Sequence, residues 1–66
     1  MKITINGEQR DIAPQMSVAA LLGELSFNPV GTVVERNGVI VDRAEFPATN
    51  IEAGDTLEIV RFVGGG

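Results

Sequence analysis

The sequence contains no cysteine, no histidine, no tyrosine and no tryptophan. Without cysteine there are no disulfides and no thiolate chemistry, and without cysteine and histidine the usual structural zinc site is excluded. The lack of histidine also removes Ser–His and Cys–His catalytic pairs and the commonest general base at neutral pH. Stability must therefore come from apolar packing, and 44% hydrophobic residues supply the material for it.

A chain of 66 residues forms one small domain. At this size about 60% of the unfolded surface becomes buried, which leaves little material for a deep catalytic cleft. Five acidic residues of the second half could suggest a cation site, but their spacing does not match the loop of an EF-hand. They are Asp42, Glu45, Glu52, Asp55 and Glu58. We therefore assign no catalytic and no metal-binding residue.

Nine acidic and five basic residues give a net charge of −4. The basic residues are scattered, and three phenylalanines are the only aromatic side chains, so a nucleic-acid partner is disfavoured. The acidity instead favours steering toward a basic protein surface. No run approaches the roughly 20 apolar residues of a membrane span, and the start shows no signal-peptide pattern. We expect a cytoplasmic protein that does not bind membranes.

The first half of the chain predicts a hairpin and a helix. Apolar residues alternate through Ile5, and Asn6-Gly7 favours a tight turn into a weaker, edge-type return strand over 8–12. Ser17 is a predicted N-cap, followed by an apolar face at helical spacing. That helix is expected to end near Leu25 or Ser26, before the turn at Asn28-Pro29.

The second half predicts three more strands, over 32–36, 39–41 and 56–63, with one helical turn over 43–46. Strands interrupted by one helix indicate an α+β fold, with the helix covering one face of the sheet. Phe27 and Phe46 are interpreted as core or rim residues. The remaining predicted core comprises Ile3, Ile5, Ile12, Val18, Leu21, Leu22, Leu25, Val34, Ile40, Leu57 and Ile59.

The predicted last strand runs directly into Gly64, Gly65 and Gly66. We divide the chain into a folded domain over 1–63 and a flexible glycine tail over 64–66. Glycine lacks a Cβ and fits narrow channels, and residues 63–66 can reach roughly 13 Å from the body. The Gly66 carboxylate becomes reactive once acyl-adenylation by ATP turns its oxygen into a leaving group. Three glycines are equally typical of an unstructured end or an expression remnant.

The predicted last strand, just before the tail, contains the candidate docking residues. If Leu57 and Ile59 face the helix, Glu58, Val60 and Phe62 lie on the open face, where an exposed apolar pair is typical of a partner surface. A register shift or a bulge would bury Phe62 instead. Glu52 and Glu58 are expected to meet basic residues of a partner near the tail. Arg61 either assists docking or keeps the strand soluble.

Several segments together resemble the ThiS family of sulfur carrier proteins, which have the ubiquitin-like β-grasp fold. The resemblance covers essentially the whole chain. It implies a five-stranded mixed sheet with one helix packed on one face. Its specificity comes from the order of the segments, the total length and the closing diglycine. The segments are 1–7, 17–22, 33–41, the turn Gly54-Asp55, the strand over 56–61 and Gly65-Gly66.

The resemblance implies a carrier rather than an enzyme, with no bound cofactor of its own. An E1-like adenylyltransferase of the ThiF type would use ATP to adenylate the carboxylate of Gly66. A sulfur donor such as a cysteine desulfurase would then give the thiocarboxylate. A thiazole synthase of the ThiG type would take this sulfur into the thiazole ring of thiamin. Gly64 and Gly65 would give these enzymes access to Gly66.

Other hypotheses share parts of this pattern. The small subunit of molybdopterin synthase also ends in diglycine, although that group tends to be longer. The chain is also compatible with a carrier for another sulfur-containing metabolite, or with a ubiquitin-like modifier joined to lysines through Gly66. A non-covalent binding module with an inert tail is the alternative from a different class.

Overall fold

A computed structural model describes residues 1–62. Its five strands form one mixed sheet in the order β2-β1-β5-β3-β4, in which β1 and β5 run parallel and the other neighbours antiparallel. The predicted five-stranded mixed sheet with one helix is confirmed. The predicted strand end at Val63 and the tail Gly64–Gly66 lie outside the described residues, so the division of the chain at 63/64 stays a prediction. The elements are β1 (Lys2–Ile5), β2 (Glu8–Asp11), α1 (Val18–Glu24), β3 (Thr32–Arg36), β4 (Val39–Val41), a 3-10 turn (Arg43–Glu45) and β5 (Thr56–Arg61).

Both predicted hairpin turns form where the sequence places Asn-Gly. Asn6 and Gly7 have φ angles of 49° and 83°, and Asn37 and Gly38 have 52° and 84°. A two-residue turn of this kind needs positive φ at both positions, which asparagine tolerates and glycine adopts without a steric penalty. These two turns set the registers of β1 on β2 and of β3 on β4.

The helix begins as its capping residue predicts. The Ser17 hydroxyl oxygen accepts a hydrogen bond from the backbone N–H of Ala20 at 3.0 Å, which satisfies one of the free donors of the first turn. Val18, Leu21 and Leu22 are buried against the sheet. The helix ends at Glu24, with Leu25 as its C-cap, as expected.

The core lies between α1 and one face of the sheet. The prediction is wrong for Ile40, which is 64% exposed. In the β3–β4 ladder Val41 is opposite the buried Val34, whereas Ile40 is opposite Glu35 and so lies on the other face. Ile12 and Leu25 are only partly buried. The core side chains are Ile3, Ile5, Val18, Leu21, Leu22, Val34, Phe46, Ile51, Leu57 and Ile59.

Asn6 extends the pairing of β5 beyond the end of β1. Its backbone N–H donates to the Leu57 carbonyl at 2.9 Å. Its side-chain oxygen accepts from the N–H of Ile59 at 2.8 Å, and its side-chain nitrogen donates to the Ile59 carbonyl at 3.1 Å. The side-chain amide of Asn6 thus makes the two hydrogen bonds to Ile59 that the backbone of a further β1 residue would make. It holds β5 in place at Ile59, two residues before the strand ends at Arg61.

A buried carboxylate fixes the opposite end of β5. Asp55 is 5% exposed and accepts hydrogen bonds from Arg36 Nε at 2.7 Å, Asn37 Nδ2 at 2.9 Å and the Glu52 N–H at 2.8 Å. Burial by itself raises the pKa of the Asp55 carboxyl, but the hydrogen bonds from Arg36, Glu52 and Asn37 and the Arg36 charge outweigh it. The pKa is therefore lowered from its ordinary value.

The Asp55 contacts predict a specific dependence of stability on pH. Because the folded-state pKa lies below the unfolded one, the unfolded chain takes up the proton first as pH falls. The free energy of unfolding should thus decrease as the pH falls below about 5 and through the lowered folded-state pKa of Asp55. Asp55→Asn should lower it by about 1–3 kcal/mol at neutral pH and flatten that drop. Urea denaturation across this range measures both.

Asp11→Asn is the matched control for the Asp55 variant. Asp11 forms ion pairs with Lys2 and the N-terminal ammonium at the surface, at 3.6 and 3.5 Å. Exposed pairs of this kind contribute at most about 1 kcal/mol. Equal losses in the two variants, or an unchanged pH profile for Asp55→Asn, would contradict the role assigned to the buried carboxylate.

Candidate partner-docking site

The last strand presents an apolar pair on the sheet face away from the helix. Leu57 and Ile59 are buried, whereas Val60 is 52% and Phe62 is 64% exposed. The Phe62 N–H donates to the Gly31 carbonyl at 2.9 Å, so the ladder with β3 continues in register past the end of β5. The alternative in which a register shift buries Phe62 is therefore wrong. The docking role of Val60 and Phe62 stays a prediction.

Two residues of neighbouring strands enlarge this apolar surface. Val33 of β3 lies directly opposite Val60 in the ladder, and Ile40 of β4 lies on the same face. A shallow groove of about 260 Å³ is lined by Val33, Ile40 and Phe62 and has the buried Phe46 among its walls. We call Val33, Ile40, Val60 and Phe62 the open-face patch.

Two acidic side chains border the open-face patch. Glu35 of β3 lies directly opposite Glu58 of β5, and Ile40 is opposite Glu35 on the other side. Like charges facing each other across a ladder are unfavourable, so a basic group placed between them relieves repulsion. The surface is therefore complementary to a partner with an apolar centre and flanking Lys or Arg.

Arg61 lies on the opposite face of β5 from Val60 and Phe62. Its guanidinium carbon lies 4.9 Å from the centroid of the Phe27 ring, within the range of a cation–π interaction. The root of the tail thus has an apolar, acidic-bordered face and a face with a fixed cation. Of the four predicted docking residues, the structure groups Glu58, Val60 and Phe62 and separates Arg61 from them.

Sequence reasoning missed Val33, Glu35 and Ile40 as members of this surface. Val33 and Glu35 alternate with the buried Val34, and this period of two indicates their outward direction. Ile40 gave no such signal, because β4 is apolar at all three positions. Its direction depends on the register with β3, which one strand alone does not reveal.

Three further observations concern residues 1–62. Within residues 1–62 no three acidic side chains come together in a way that could hold a metal ion. None of the helices in this range has the length and apolar character needed to cross a membrane. No buried side-chain polar atom in this range lacks a hydrogen-bond partner.

A family model and a solved structure both relate this chain to ThiS proteins. The sequence model of the ThiS family matches residues 3–66. The crystal structure of a thiamine biosynthesis protein (ThiS) from Geobacter metallireducens superposes with a TM-score of 0.86 at 35% identity, covering all of both chains. An uncharacterized protein, ycf40, of Pyropia yezoensis is 35% identical over the whole chain, which covers 93% of that protein.

A longer relative has a different name. A thiazole synthase of Paramagnetospirillum magneticum is 47% identical over all 66 residues, which make up 20% of its length. The chain therefore spans about a fifth of this relative. The family match over nearly the full chain, with the closely superposing fold, confirms the resemblance found in the sequence. The chain belongs to the ThiS family.

Proposed function

We propose that this chain is a sulfur carrier protein of thiamin biosynthesis that acts through the carboxylate of Gly66. The observation that carries the proposal is the exposed apolar pair of Val60, in β5, and Phe62, which follows the end of β5 and precedes Gly66 by four residues. Membership of the ThiS family supports it. In this function the chain is a substrate of partner enzymes and supplies no catalytic group.

The proposed chemistry takes place in two steps on the Gly66 carboxylate. An oxygen of the carboxylate attacks the α-phosphorus of ATP, pyrophosphate leaves, and an acyl adenylate forms on an E1-like enzyme of the ThiF type. A donor sulfur at the oxidation level of sulfide then attacks the acyl carbon, and AMP leaves. The product is a thiocarboxylate, whose sulfur a ThiG-type thiazole synthase incorporates into the thiazole ring.

The length of the tail supports docking of each of these enzymes close to the end of β5. Residues 63–66 span at most roughly 13–14 Å when fully extended. An active site that holds Gly66 must therefore lie within that distance of Phe62. The apolar patch with its acidic border lies within the same reach. We assign the patch as the docking surface for the E1-like enzyme and the thiazole synthase.

The comparison with the longer relative supports a thiazole synthase as the acceptor. A protein named thiazole synthase carries a segment 47% identical to this chain. A carrier and an acceptor that work together gain a high effective concentration when they share one polypeptide. In this proposal the same carrier–acceptor pairing uses the open-face patch of this chain.

Intact-mass spectrometry tests the proposed function directly. The protein is incubated with a ThiF-type enzyme, ATP, a cysteine desulfurase, cysteine and a reductant. We expect a mass increase that matches replacement of one oxygen by sulfur, and fragmentation should place it at Gly66. Omission of ATP should leave the mass unchanged. A chain that stays unmodified in the complete mixture would contradict the carrier function.

A further inference from the structure

The two edge strands of the sheet differ sharply in chemistry. All four residues of β2, Glu8–Asp11, are polar or charged, which is a common protection against pairing with another chain. The residues of β4, Val39–Val41, are all apolar. Val39 is 68% and Ile40 is 64% exposed. Within residues 1–62, β4 is thus the edge that lacks charged or proline protection.

The backbone of β4 presents one unpaired donor and acceptor at its centre. In an antiparallel ladder, successive residues direct their N–H and C=O groups to alternate sides. The Phe62 N–H donates to the Gly31 carbonyl, so the backbone N–H and C=O groups of the odd-numbered residues in β3 point toward β5. The backbone N–H and C=O of Val34 therefore point toward β4 and exchange hydrogen bonds with Val41. Ile40, one residue earlier, directs its N–H and C=O outward, away from the sheet.

We propose that β4 pairs with β4 of a second copy of this chain, antiparallel about a two-fold axis at Ile40. The N–H and C=O of Ile40 then exchange two hydrogen bonds with Ile40 of the second copy. Val39 lies opposite Val41 of the second copy on the helix side, and the two Ile40 side chains touch on the open face. The result is a continuous ten-stranded sheet.

The sequence around β4 is self-complementary in this register. Gly38 lies opposite Asp42 of the second copy, and Asn37 lies opposite Arg43, so no like charges face each other. Shifting the axis by one residue in either direction places Asp42 or Gly38 opposite Ile40 and leaves the apolar residues incompletely matched. The net charge of −4 on each copy acts mainly at long range and is screened at physiological salt.

The pairing is expected to be weak and to compete with docking. A three-residue strand buries less than the roughly 1,200 Å² of a standard interface. The dissociation constant of the dimer should therefore lie at roughly hundreds of micromolar to millimolar, which corresponds to a binding free energy of about −4 to −5 kcal/mol. Ile40 belongs both to this edge and to the open-face patch. A partner that covers the patch therefore displaces the second copy.

Two measurements on the unmodified protein test the pairing. Sedimentation velocity from roughly 10 µM to 1 mM should show a concentration-dependent shift from monomer to dimer. Hydrogen exchange of the Ile40 amide should slow over the same range. The amides of Val39 and Val41, which already bond to β3, should be protected at every concentration. A monomer up to 1 mM with constant Ile40 exchange would overturn the proposal.

Variants at the two edges separate β4 pairing from general association. Val39→Lys places a charge in the proposed contact without altering the open-face patch, and should abolish the dimer. Val39→Thr keeps the β-branched shape and should weaken dimerisation much less. Gln9→Lys makes the matched change on β2 and should have no effect. If Val39→Lys dimerises like the unmodified chain while its free energy of unfolding is unchanged, the assignment to β4 is wrong.

Discussion

Removal of Gly65 and Gly66 is expected to abolish thiocarboxylate formation completely. Without these residues the chain loses its proposed reactive carboxylate, and the new end lies roughly 7 Å closer to Phe62. In an active site that binds the full-length tail, the ATP would be too far from the carboxylate of the new C-terminal residue, Gly64. The assay is the same incubation with the ThiF-type enzyme, ATP and sulfur donor, read by intact-mass spectrometry.

The truncated chain should retain its fold and its docking. The truncation removes two glycines and keeps all the core side chains found within residues 1–62, so the free energy of unfolding in urea should match that of the full chain. The truncated chain should also compete with the full chain for the ThiF-type enzyme, because it keeps the open-face patch. Gly64→Ala is a milder control variant, since its added methyl group makes the tail wider at this position without shortening it. Rescue of a thiamin auxotroph by the truncated chain would instead favour a binding module with an inert tail.

The parts of the fold that were predictable from sequence depend on short-range chemistry. The turns at Asn6-Gly7 and Asn37-Gly38 follow from residues that tolerate positive φ. The helix start follows from the Ser17 side chain and its reach to the N–H of Ala20. The outward direction of Val60 follows from the period-two alternation of β5. Each depends on neighbours within a few residues.

The features that sequence reasoning missed depend on contacts between distant segments. Ile40 was assigned to the core, since an all-apolar three-residue strand does not reveal which face is buried. Ile51 lies in a loop and is buried, and its N–H donates a hydrogen bond to the Met16 carbonyl at 2.9 Å. Asp55 was interpreted as a turn residue. Its ion pair with Arg36 joins positions 19 residues apart and became visible only with the register of β3 on β5.

Phe62→Ala is expected to weaken docking strongly while leaving the fold intact. Phe62 is the largest side chain of the open-face patch and is 64% exposed in the free chain. Truncation of an aromatic hot-spot residue in an interface costs about 2 kcal/mol or more of binding free energy. The variant should therefore raise the KM for the ThiF-type enzyme by roughly 30-fold or more. The kcat at saturation should stay near that of the unmodified chain, because the Gly66 carboxylate is unchanged.

Val39→Ala is the matched control for Phe62→Ala, since Val39 is as exposed as Phe62 but faces the helix side of the sheet. At low micromolar concentration, where β4 pairing is negligible, it should leave KM unchanged. Val60→Ala should raise KM to a smaller extent, and the double variant with Phe62→Ala should show non-additive losses, because the two side chains share one surface. The same KM shift in Val39→Ala and Phe62→Ala would indicate a general effect of apolar truncation. An effect restricted to the open-face patch would instead locate docking beside the tail, as its roughly 13 Å reach requires.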